Sequence, residues 1–102
     1  MQIFDKARLQ SITGGNAAIE SELMQLFRET LDKCLTELKI ASDQETFHAA
    51  CHELKGAAAN LGADRLSEAC TGVGAAAATL EARAAIFAQI EAEVALLRAE
   101  IG

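Results

Sequence analysis

A chain of 102 residues can bury roughly two-thirds of the surface it exposes when unfolded, without needing disulfides or a structural metal. About half of it is hydrophobic, 51%, but alanine supplies much of that and there are four Phe, no Trp and no Tyr, so the core has to come from close packing of helices. The formal charge of −6 argues against nucleic acid, which needs a basic stripe, and against an anionic membrane surface.

No apolar run approaches the roughly 18 residues that span a bilayer, and the opening MQIFDKARLQ has neither a basic n-region nor an apolar h-region. The expectation is one domain over residues 1–102, cytoplasmic and monomeric. Cys34, Cys51 and Cys70 are odd in number, widely spaced and set among apolar neighbours, which predicts reduced thiols acting as small core residues.

In chain order, residues 4–12 form a short amphipathic segment with Asp5 as N-cap, Phe4, Leu9 and Ile12 as apolar anchors, and Gly14-Gly15 as its end. Asn16 caps a long helix reaching about Ala41, in which Ile19, Leu23, Phe27, Leu31, Cys34 and Leu38 recur at helical spacing. Ser42-Asp43-Gln44-Glu45 reads as an S-x-x-E capping box opening the next helix. The break is short enough to turn that helix antiparallel to its predecessor.

Gly62 closes this second long helix, and Asp64 is available to cap a further one whose stripe begins with Leu66, Cys70 and Val73. Thr71-Gly72-Val73-Gly74 interrupts the pattern, as a kink, an end or a close helix contact. Thr79 then caps a last helix from about Leu80, with Phe87, Ile90, Val94, Leu97 and Ile101 as the cleanest amphipathic stripe in the chain. With no strand alternation and no long linker, the predicted fold is all-α: an antiparallel four-helix bundle with an additional short N-terminal helix.

One stretch asks for a chemical explanation, residues 47–62, FHAACHELKGAAANLG. At about 100° per residue, Phe47, Ala50, Leu54, Ala57, Ala58 and Leu61 gather on one side. His48, His52, Lys55, Gly56 and Ala59 gather on the other. A glycine in mid-helix costs about 1 kcal/mol against alanine. Its presence beside an outward histidine is explained if a large partner must approach the imidazole. Neutral imidazole is a nucleophile near neutral pH, and Lys55, one turn on, brings a cation within reach of anything attached to His52.

At His52, Lys55, Gly56 and Gly62 the chain resembles the histidine-containing phosphotransfer (HPt) domain, whose signature is H-x-x-K-G followed by a glycine that ends the helix. FDKARLQSITGG, LMQLF and ANLGADRL fall where the family pattern has similar residues. The resemblance implies that His52 is phosphorylated by a receiver-domain aspartyl phosphate and passes the group to the aspartate of another receiver. It implies Lys55 for charge compensation and His48, Gly56 and Ala59 for partner contact. The partners implied are receiver domains of response regulators or hybrid histidine kinases, with no cofactor of the chain's own and Mg²⁺ on the receiver. Such domains often carry Gln or Glu on the following helix near the phosphorylated ring. The aligned residue here is Gly74, so a hydrogen bond from that position is missing.

Two further readings follow from the residues. A helical module that binds a receiver through the same face without transferring phosphate is the alternative, motivated by Gly74. A kinase is disfavoured, because no Gly-rich nucleotide loop is present. His48 and His52 have the i, i+4 spacing of metal-ligating pairs, but HAACH lacks the Glu of H-E-x-x-H and no third ligand is evident, so no metal site is expected.

Overall fold

Side-chain caps decide where most of the helices begin. Asp5 accepts a hydrogen bond from the Arg8 N–H, opening α1, Lys6–Thr13, which ends at Gly14 with φ +65°. Asn16 accepts from Ala18 and Ile19 and opens α2, Ala17–Ile40. For α3, Gln44–Leu61, the cap is Asp43, whose carboxylate accepts the Thr46 N–H at 2.7 Å. The expected Ser42–Glu45 box does not form, the cap falling one residue later, and hydrogen bonds from Thr46 hold the Asp43 carboxyl below its ordinary pKa. Thr79 caps α5, Leu80–Ile101, through the Ala82 N–H.

Between α3 and α5 the chain is less regular than the spacing suggested. The fourth helix, α4, spans only Asp64–Ala69. Its N-cap is Ala63, without a side-chain bond, because the Asp64 carboxylate is taken by Arg8 at 2.6 Å. The Thr71 hydroxyl donates back to the Ser67 carbonyl and Gly72 turns left-handed at φ +70°, which ends the helix. After Gly74 the four alanines Ala75–Ala78 make a 3₁₀ turn, in which Ala77 is fully buried. Arg83 caps that turn by donating to the Ala77 carbonyl.

This computed structural model describes all 102 residues and contains no strand. Helices α2, α3, α4 and α5 form the bundle, with α1 laid against α2, in a body 44 × 23 × 20 Å. The core runs along one stripe of each long helix: Phe27, Leu31, Cys34 and Leu38 from α2, Phe47, Ala50, Leu54 and Ala58 from α3, Ile90, Val94 and Leu97 from α5. The three cysteines are free and buried. Burial pushes the Cys34 and Cys51 thiols up to about 11 and Cys70 up to about 12.

Two of the expected anchors are not covered. Ile12 and Ile19 are 50% and 45% exposed, while Met24, off the expected stripe, is buried. The stripe of α5 is where it was expected, but its outer face is lined with alanine as well as charge, so its polar contrast is weak.

The first residues are tied to the α3–α4 corner. Asp5 N–H donates to the Gly62 carbonyl at 2.8 Å and Arg65 N–H to the Gln2 carbonyl at 3.2 Å. Arg8 donates to the Ala59 carbonyl near the C-terminus of α3, where a cation also meets the negative end of the helix dipole. Gly62 has φ +90°, and a Cβ there would stand 2.6 Å from the Asp5 carbonyl oxygen. Glycine is thus required twice over, by the left-handed turn and by the close approach of α1's leading strand of chain.

Candidate functional site

The rotation of α3 is fixed by what it buries. Cys51 and Leu54 are 1% and 0% exposed, and together with Phe47, Ala50 and Ala58 they turn the opposite face outward. His48, His52, Gly56 and Ala59 are exposed and Lys55 is half-buried, as the periodicity predicted. The two imidazole rings stand one helical turn apart, 6.4 Å between centroids and tilted by 34°.

The charges around His52 are sorted. Its neighbour Glu53 is drawn sideways to α2, where Lys33 donates to it at 2.8 and 3.0 Å and also pairs with Glu37 at 3.5 Å. Lys55 pairs with no carboxylate. Its positive charge opposes, at the Cys70 thiol, the upward push of burial. An unpaired ammonium close to an exposed imidazole is suited to hold an anion carried on that ring.

Gly56 has helical backbone, and a Cβ added to it would meet no atom within 4 Å. Nothing inside the fold demands glycine there. Around α3 toward α2, roughly one to three turns beyond His52, lies an open groove of about 400 Å³ whose walls include Ile12, Leu23, Leu26, Phe27, Ala57 and Leu61. Leu26, 58% exposed, was not singled out by the sequence pattern. The smooth surface at Gly56 and Ala59 leads from the imidazole to this apolar edge.

The placement of Gly74 is also new. It lies in the turn before the 3₁₀ segment, with Gln44 donating to its carbonyl. A Cβ at Gly74 would fall 2.4 Å from Nδ1 and 2.8 Å from Cε1 of His48. The sequence shows an absent side chain there; the fold shows that a ring from α3 occupies the space. No local pattern signals this contact, because it joins α3 to a turn 26 residues on.

Three potential metal-ligating groups do converge, Cys34, Glu37 and Glu53, but neither histidine is among them and the Lys33 ammonium already serves both carboxylates. No helix is long and apolar enough to cross a membrane.

An all-α bundle with an exposed imidazole on a smooth helix face is thus the class that fold and surface define. A family model described as Hpt domain matches residues 22–100, and the chain belongs to that family. Members are phosphotransfer modules of two-component phosphorelays, act without kinase activity of their own and interact with receiver domains. A search of curated proteins returns no match.

Proposed function

We propose that His52 is the phosphoryl-accepting residue of this domain. It takes the group from an aspartyl phosphate on one receiver domain and gives it to the aspartate of another. The observation that carries this reading is the pairing of an exposed imidazole with a mid-helix glycine that nothing inside the fold requires. A glycine that costs about 1 kcal/mol and serves no internal contact is accounted for by a second protein that must press close to the ring.

In the transfer, the lone pair of a neutral ring nitrogen of His52 attacks phosphorus while the bond to the aspartyl oxygen breaks. The carboxylate leaves, and the proton on the other ring nitrogen stays on the imidazole. The reverse step, onto a second aspartate, restores the free ring. Phosphoryl transfer of this kind depends on alignment and on neutralising charge more than on covalent help. Mg²⁺ held by the receiver would supply neutralisation on the partner's side, and Lys55 supplies a cation from this side. His48, Gly56 and Ala59 form the docking surface, and the apolar groove along α2 extends it.

The test is to incubate the protein with a phosphorylated receiver domain and Mg²⁺ and to measure acid-labile, alkali-stable phosphate. Wild type acquires it and His52→Ala does not. Label that persists in His52→Ala refutes the assignment. Binding of the receiver without any movement of phosphate selects the alternative, a non-transferring interaction module.

A further inference from the structure

His48 takes no part in the bond making and breaking at His52, yet the fold seats its ring in a particular way. Its Nδ1–Cε1 edge lies against the backbone of Gly74, in the volume that any side chain at that position would fill. Gly74 is itself held to the first turn of α3, because the Gln44 side chain, one turn before His48, donates to its carbonyl. The seat is therefore tied to the helix that carries the ring. The Nε2–Cδ2 edge is turned away from Gly74, and His48 and His52 are both exposed on α3 one turn apart.

We propose that His48 is a positioning residue for the phosphorylated state: seated on Gly74, it donates a hydrogen bond from its Nε2 edge to the phosphoryl group on His52. This rests on the assignment of His52 made above. The reach is sufficient. A phosphoryl oxygen on the His52 ring stands about 3.5 Å from that ring's centre, a charge-assisted hydrogen bond adds about 2.8 Å, and the donor nitrogen lies about 1.1 Å from the centre of its own ring. The centroid separation of 6.4 Å falls inside that sum. Lys55 then flanks the phosphoryl group one turn C-terminal to His52 and His48 one turn N-terminal to it.

The expected consequence is a longer-lived phosphohistidine. In hydrolysis the P–N bond breaks as water oxygen bonds to phosphorus, the ring nitrogen takes a proton and inorganic phosphate leaves. The phosphoryl group moves away from the ring nitrogen as the P–N bond stretches, so a donor fixed to the same helix fits its oxygens better before the bond breaks than while it is breaking. A donor aimed at those oxygens therefore stabilises the ground state more and slows the loss.

The test uses the full chain, phosphorylated by a receiver domain, freed from it, and followed by ³¹P NMR as the phosphohistidine decays. His48→Ala shortens the half-life about three- to fivefold, the size of effect that one solvent-exposed charge-assisted contact gives. Gly74→Ala does the same although the imidazole remains, because its methyl drives the ring from its seat. His48→Gln, which keeps a donor near the Nε2 position, restores most of the lifetime, and circular dichroism of all three variants matches wild type. A wild-type half-life in either His48→Ala or Gly74→Ala overturns the proposal, as does a His48→Gln value no better than that of His48→Ala. Failure of the His52 assignment is seen separately, as unlabelled wild type or labelled His52→Ala, and removes both.

Discussion

Replacing Gly62 by alanine tests how the N-terminal helix is attached, and its cost can be worked from the geometry. The residue sits at φ +90°, where an L side chain costs about 1 to 2 kcal/mol. The new Cβ also meets the Asp5 carbonyl oxygen at 2.6 Å, and a backbone atom cannot rotate out of the way. The leading segment must shift or lift, weakening the Asp5 to Gly62 and Arg65 to Gln2 backbone hydrogen bonds. At about 1 kcal/mol net for each bond, the total is about 3 to 4 kcal/mol. That is a large share of the roughly 5 to 15 kcal/mol that holds a domain together, and it corresponds to a fall in Tm of more than about 12 °C. Thermal and urea unfolding followed by circular dichroism measure it. Gly14→Ala is the matched control, since Gly14 has φ +65° but open space where the Cβ goes, and it should lose only the conformational part. Equal losses in the two variants would refute the claim that close approach, rather than the left-handed turn alone, requires glycine at Gly62.

Two further predictions concern the face of α3 and the core. Gly56→Gln should raise stability by up to about 1 kcal/mol, since the added side chain meets nothing, yet slow phosphoryl transfer about tenfold by obstructing docking. Melting curves and transfer kinetics measure the two effects, and unchanged transfer would remove the steric explanation for this glycine. The buried thiols predict alkaline sensitivity. Their folded pKa values, about 11 to 12, lie above the value of about 8.5 expected when unfolded, so the unfolded chain releases protons that the fold retains. Stability should therefore be flat below about pH 8.5 and fall as pH rises toward about 11 to 12, read as a lower urea midpoint at about pH 9.5 than at about pH 7.

Much of this architecture was legible because the long helices announce their starts with short polar side chains and their buried faces with regular spacing. Asp5, Asn16 and Thr79 cap where expected, and the outward set from His48 to Ala59 follows from the period of α3 alone. Asp43 took the role read for Ser42, a choice between adjacent capping residues that depends on backbone geometry rather than residue type. Asp64 was expected to cap but is engaged by Arg8, a residue 56 positions away that local pattern cannot reveal. Periodicity says which side of a helix is apolar, not whether another helix covers it. With α4 only six residues long and α1 only eight, Ile12, Ile19 and Leu26 are left at an open edge. The contact between His48 and Gly74 joins segments 26 residues apart and was invisible for the same reason.

The Lys33–Glu53 bridge engages the carboxylate that is next to His52 in the sequence. Glu53 follows His52 directly and would be the nearest negative charge to any anion on the ring, but a lysine from the neighbouring helix draws it aside and screens it. A protein with an excess of six negative charges in this way neutralises one carboxylate beside the histidine while leaving the Lys55 ammonium without an acidic partner. The acidic surplus is left to act at longer range, where counter-ions damp it over about 8 to 10 Å.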